Sequence, residues 1–337
     1  MISVDKRAIS KKESIDVQFF FENVKSRFKI HLLSDESGFS RRITDQNIHR
    51  PGLALAGFVG LFAYSRVQIF GNTEMRYLGQ LSKEKRVQAL EGIFGFDIPC
   101  VILTDNNDPS EELIEIANAH HVPVFGSPLS TTKLVYLVGD FLDDQFAIRC
   151  SMHGSLVDVY GVGILFLGNS GIGKSEVALD LIERGHRLVS DDVIILTKKG
   201  EGILMGAGAE LNKHFMEIRG LGIINIEKMF GIRAIRYQKR VEVIVNLENW
   251  DDTANYERTG LGSLTETILD VEIPFIKLPI IPGKNITVIS EVIALHYLLK
   301  RRGYDAALAF QDRLSQRIAR GGVDLNRGVE YFEHDFE

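Results

Sequence analysis

The chain has 337 residues, 45% hydrophobic and 25% charged, the balance of an ordinary globular protein long enough for two domains. Its 39 basic and 45 acidic side chains leave a net charge of −6, which offers no basic field for nucleic acid or an anionic membrane. No stretch reaches the ~18 uninterrupted apolar residues of a membrane span, and Met1 to Asp16 mixes charges of both signs without the apolar segment of a secretory signal.

Residues 1–146 read as a small α/β domain ending in a connecting helix, and residues 147–337 as a second domain. In the first, Cys100 to Thr104 and Val122 to Phe125 are strand candidates. Between them Asp108-Pro109-Ser110-Glu111 supplies Asp108 as a helix N-cap, a proline at the first helical position and an acid at the third, before a helix from Glu112 to His121. That is a βαβ fragment, with neither a glycine-rich phosphate loop nor a catalytic cluster. Ser130 to Phe146 reads as the connecting helix, with Leu134, Leu137, Val138, Phe141 and Leu142 on one face.

The second domain opens with His153-Gly154 ahead of a strand at Leu156 to Tyr160. Gly163 to Leu167 has no polar alternation, as expected of a strand buried on both faces of a mainly parallel sheet. Val177, Ala178, Leu181 and Ile182 then form one apolar stripe of a helix beginning near Ser175. Further strands are read at Arg187 to Ser190, Val193 to Leu196, Val241 to Val245 and Ile286 to Ile289. Helices follow at about Glu291 to Arg301 and Asp305 to Arg320, and the tail loses periodicity from Gly321. Cys100 and Cys150 sit in or beside apolar runs with no metal or disulfide spacing, which fits a reducing cytoplasm.

Between the buried strand and its helix, Gly168-Asn169-Ser170-Gly171-Ile172-Gly173-Lys174-Ser175 matches the phosphate-cradling pattern G-x-x-x-x-G-K-[ST] at every fixed position. Glycines let successive backbone N–H groups turn onto phosphate oxygens, and the helix N-terminus adds partial positive charge. Lys174 would reach the β/γ phosphates of a nucleotide, and the Ser175 hydroxyl would bind Mg²⁺. Asp191 and Asp192 follow an apolar run, where a strand end points at the ligand crevice. They suit a metal contact and a general base, and adjacent residues on an extended segment face opposite ways, so at most one of them is expected to point squarely into the site.

Glu217 to Asn225 mixes a carboxylate, the Arg219 guanidinium and two glycines with apolar anchors. Glu217 could ligate metal and Arg219 could hold phosphate, or the two could form an ion pair beside a glycine turn. Arg258 has the chemistry to neutralise a transferring phosphoryl group. Pro282-Gly283-Lys284-Asn285 reads as a turn before a strand.

Taken together, His153-Gly154, Gly168 to Ser175, Arg184 to Val189 with Asp191-Asp192, Glu217 to Asn225, Asn246 to Trp250 and Pro282 to Asn285 resemble the bacterial HPr kinase/phosphorylase family in order and spacing. His49 to Gly57 resembles that family's N-terminal signature. The resemblance implies a P-loop catalytic domain similar to phosphoenolpyruvate carboxykinase, preceded by a small α/β domain, and a hexamer. It implies Mg²⁺-dependent transfer of phosphate from ATP to a serine of the phosphocarrier HPr, and the reverse phosphorolysis that releases pyrophosphate. By motif, Asp192 would be the base, His153, Lys174 and Arg258 further active-site residues, and Ser175 and Glu217 the metal contacts. One departure is Ile281-Pro282-Gly283-Lys284-Asn285, where many members read Arg-Pro-Gly-Arg-Asn in the segment tied to dephosphorylation. A lysine presents a point charge where arginine presents a fork. A small-molecule kinase or carboxykinase-like enzyme would share the loop and carboxylates. A GTPase switch lacks support, because no Asn-Lys-x-Asp pattern occurs.

Overall fold

The computed structural model describes residues 9–250, 264–281 and 283–319. They divide into two compact units, residues 10–148 and Ile9 with the chain from Arg149 onward. Arg258, Pro282 and the tail beyond residue 319 lie outside the described residues. No described helix is long and apolar enough to cross a membrane.

The N-terminal unit is a five-stranded sheet of β1 (His31–Leu32), β2 (Ile48–His49), β3 (Val67–Phe70), β4 (Val101–Leu103) and β5 (Val124–Gly126), in the order β1-β5-β4-β3-β2. Alternation along β4 sends Ile102 to one face and Val101 and Leu103 to the other. Helices α1 (Val17–Val24) and α5 (Thr131–Phe146) cover the first face. Helices α2 (Asn72–Gln80), α3 (Lys83–Phe94) and α4 (Glu111–Ala119) cover the second. The βαβ unit is β4-α4-β5, with β4 and β5 parallel. Its helix is capped by Ser110, not Asp108. Ser110 is the last extended residue, and its Oγ accepts the Leu113 N–H at 3.4 Å, while Asp108 is exposed two residues earlier.

The second unit contains β6 (Arg149–Val159), β7 (Val162–Gly168), α6 (Lys174–Glu183), β8 (Arg187–Lys199), β9 (Ile203–Gly208), β10 (Phe215–Ile218), β11 (Gly222–Asn225), β12 (Gln238–Arg240), β13 (Val243–Asn249), β14 (Thr265–Ile268), β15 (Val271–Ile280), α7 (Ile286–Arg301) and α8 (Ala306–Ala319). Its main sheet runs β12-β9-β8-β6-β7-β13-β15-β14, with Ile9–Ser10 adding to β6. Residues of α6 and α7 pack with one face of β7 through Ile164 and Phe166, and Leu165 and Leu167 belong to a core on the other face.

The sheet is mixed, not mainly parallel: only β7, β13 and β15 run parallel. The two-residue turn Tyr160-Gly161, with φ 52° and 84°, folds β7 back along β6 in the geometry of a tight hairpin. His153 lies inside β6, and not ahead of the first strand. The expected strands at 187–190 and 193–196 are one strand, β8. Its pairing with β6 continues on both sides of Asp191-Asp192, with a register shift between Leu188 and Ser190. The expected strand at 286–289 is the first turn of α7. Its β-branched residues favour a strand locally, but Asn285 accepts the Val288 N–H at 3.0 Å, and Ile286, Thr287, Ser290, Glu291, Ile293 and Ala294 bury one helical face. Both cysteines are free and buried, and burial pushes the Cys150 thiol up to about 11.

Candidate active site

Strand β7 delivers the glycine-rich loop and α6 leaves it. Gly168, Gly171 and Gly173 have φ of 140°, 81° and 104°, a conformation that side chains resist. At Gly168 an added Cβ would also lie 2.4 Å from the Leu247 carbonyl oxygen of neighbouring β13. Helix α6 starts at Lys174, so its first N–H groups and the positive end of its dipole face the loop. Lys174 Nζ donates to the carbonyl oxygens of Gly168 and Asn169, each at 3.1 Å.

Strand β8 crosses beside this loop. Asp191 is buried, and its carboxylate accepts the Ser175 hydroxyl at 2.8 Å and the Ser155 hydroxyl at 2.5 Å. Burial pushes its carboxyl above the usual carboxylate range, opposed by those two hydroxyls. Asp192 has φ 66°, and around this kink Ser190 Oγ donates to the Val193 carbonyl at 2.7 Å while Asn212 Nδ2 donates to that of Asp191 at 2.9 Å. The kink overturns the expectation that only one of the two carboxylates would enter the site. Left-handed backbone breaks the strand's alternation, so Asp191 and Asp192 line the same cavity. His153 of β6 is register partner to Val193, and its Nδ1 lies 3.4 Å from Asp192 Oδ1.

The opposite wall is a hairpin. Met216 is buried in the core and Ile218 packs on it, so alternation turns Glu217 the other way. Gly220 and Gly222, at φ 85° and 98°, close the turn. Arg219 Nη2 donates to Ser170 Oγ at 3.1 Å, and no ion pair joins it to Glu217. The cavity of about 250 Å³ is lined by Ser170, Gly171, Gly173, Lys174, Ser175, Glu176, Asp191, Asp192, Glu217 and Arg219.

The residues singled out as base, lysine and metal contacts therefore share one cavity. His153 reaches it through Asp192, and Ile172 packs against the core. Sequence reasoning did not single out Ser155 or Asn212. Nothing in their local pattern marks them, because both act on residue 191 across the fold.

Residues 15–142 match the family model described as HPr Serine kinase N terminus, and residues 144–314 match HPr Serine kinase C-terminal domain. The chain belongs to the HPr serine kinase family. HPr kinase/phosphorylase of Chloroherpeton thalassium is 55% identical, covering 98% of this chain and 99% of that relative. Its counterpart in Prosthecochloris aestuarii is 50% identical over the full length of both. Among solved structures, the Hpr(Ser) kinase/phosphatase from Coxiella burnetii is 34% identical, covering 48% of this chain and 97% of that chain, with a TM-score of 0.43.

Proposed function

We propose that this protein is a cytoplasmic kinase/phosphorylase that transfers phosphate from ATP to a serine of HPr and catalyses the reverse phosphorolysis. The observation that carries the reading is the geometry around Ser175: a phosphate loop, a buried carboxylate on its serine and an accessible carboxylate beside it, in one cavity. The hexameric assembly implied by the resemblance belongs to the same proposal.

In the forward step Asp192 takes the proton of the HPr serine hydroxyl. The serine oxygen forms a bond to the γ-phosphorus as the bond to the β,γ-bridging oxygen breaks, and that electron pair leaves with ADP. In reverse, an oxygen of inorganic phosphate attacks the phosphoserine phosphorus. The bond to the serine oxygen breaks, Asp192 returns the proton, and pyrophosphate departs. The exposure of Asp192 suits a base that must meet a residue on another protein. His153 hydrogen-bonds Asp192 and orients its carboxylate, and the resemblance gives Arg258 the charge-neutralising role.

The donor set fits Mg²⁺. Ser175, Asp191 and Glu217 offer hard oxygen ligands around the cavity. Among the described residues no group of three His, Cys, Asp or Glu side chains could hold a metal alone. The ion would complete its shell with phosphate oxygens and water, and when bound it would neutralise charge on the phosphates.

Incubation with HPr, Mg²⁺ and labelled ATP tests the reading. The wild type labels HPr on serine, and Lys174→Ala abolishes the label. Labelling of a metabolite with HPr left untouched would overturn it. Pyrophosphate release from phosphoserine-HPr and inorganic phosphate measures the reverse direction past Ile281 and Lys284.

A further inference from the structure

Strand β9 pairs with β8 from Ile194 onward and ends at Gly208. Just beyond the end of that ladder, on β8, stand Asp191, the left-handed Asp192 and Val193. The chain leaving β9 makes one short turn, Glu210–Asn212, closed by the Asn212 N–H on the Ala209 carbonyl at 3.2 Å. That turn brings the Asn212 side chain back onto β8. Its Nδ2 carries two hydrogens and lies 2.9 Å from the Asp191 carbonyl oxygen and 3.4 Å from that of Val193, one on each side of Asp192. Its Oδ1 is buried with no partner among the described residues, so the two donated bonds are what the amide contributes.

We infer that Asn212 is a positioning residue for the proposed base. Left-handed backbone is unfavourable for a residue with a side chain, and aspartate is among the few that tolerate it. Were the segment extended instead, alternation would turn Asp192 away from the cavity that Asp191 lines. By tying together the carbonyls before and after it, the Asn212 amide fixes the kink, and with it the direction in which the Asp192 carboxylate meets a serine hydroxyl. On the proposed reading of this site, the contact serves rate and not nucleotide affinity, because the phosphate loop is a separate segment between β7 and α6. A reacting group misplaced by about 1 Å costs about 10²-fold.

The test is a double-mutant cycle on single-turnover transfer to HPr, with Asn212→Leu made in the wild type and in Asp192→Asn, and ATP affinity measured for each protein. Leucine keeps about the size of the side chain and removes both donated bonds. In the wild type it should slow transfer by about 10–10²-fold and change ATP affinity by less than about threefold. In Asp192→Asn the same substitution should cost less than about threefold, because a residue that acts through the base has nothing left to position. Asn212→Ala repeats the comparison should leucine prevent folding. A rate kept in the Asn212 variants, a loss confined to ATP affinity, or an equal loss in both backgrounds overturns the assignment while leaving the kinase reading intact. Failure of both variants to fold makes Asn212 a support of the fold and overturns it too. If the wild type itself transfers nothing to HPr, the kinase reading falls and takes this one with it.

Discussion

Replacing Glu291 with glutamine should destabilise the C-terminal unit by about 2 kcal/mol without changing its shape. On α7 the carboxylate accepts Arg184 Nε at 2.9 Å and Nη2 at 2.6 Å, and it lies 3.0 Å from Nε2 of buried His186. The Arg184 hydrogen bonds, opposed by burial and assisted by His186, hold its pKa down from 4.5 to about 2. At roughly 1.4 kcal/mol per unit that difference sets a ceiling near ~3.5 kcal/mol. Arg184 is 47% exposed and can return to water when the charge is lost, which brings the expectation to about 2 kcal/mol. Because folding depresses this carboxylate's pKa, the stabilisation is complete above its unfolded value. It is lost as pH falls through the folded one, so the gap between wild type and variant should close from about pH 4.5 down to about pH 2. Urea unfolding can be followed through Trp250, the chain's single tryptophan, which directly follows β13 and so reports this unit. The melting temperature should fall by about 4–8 °C. A gap under about 0.5 kcal/mol at neutral pH, or one unchanged near pH 2.5, would refute the reasoning.

Asp192→Asn keeps a residue type that tolerates φ 66° and removes the proposed base. Transfer to HPr should fall by about 10²–10⁴ with ATP affinity retained, and full activity would exclude Asp192 as the proton acceptor. Gly163→Ala sets a Cβ 1.9 Å from the Arg240 carbonyl oxygen, a backbone atom that cannot rotate away. Trp250 fluorescence should report a loss of at least ~2 kcal/mol, or no folded protein at all. Asn285→Ala removes the cap of α7 and should cost about 1 kcal/mol in the same assay; an unchanged midpoint would mean that packing alone starts this helix.

The parts of the fold written in short, local patterns were legible. The strand at 163–167 had to be buried because it offers water nothing, and the glycines that follow admit a phosphate loop. Strand direction was not legible from apolar runs, because it depends on Tyr160-Gly161 adopting positive φ at both residues. The β-branched run at 286–289 suggested a strand because its local preference outweighed the one signal against it, the capping Asn285. In the site, the sequence motifs named Lys174, Ser175, Asp192 and Glu217, and the fold brings these four to one cavity. The hydroxyl of Ser155 and the amide of Asn212 matter only because β6 and the segment after β9 are brought to residue 191. Asp192's left-handed backbone, which lets two adjacent carboxylates share a cavity, follows from that same tertiary setting.

The two walls of this cavity should keep different time. Ser155 and Asp191 sit on β6 and β8, and β6 is hydrogen-bonded on both sides within a nine-stranded sheet, so its amides exchange with solvent only when much of the unit opens. Glu217 is held by two four-residue strands that pair only with each other, so this hairpin's backbone hydrogen bonds can open without disturbing the main sheet. In deuterated water, label should enter residues 215–225 long before it enters 151–158. Bound nucleotide should slow the first clock and leave the second alone. Such a cavity keeps Ser175, Asp191 and Asp192 in register on one side while the other side can yield, as the proposed transfer to a protein serine requires.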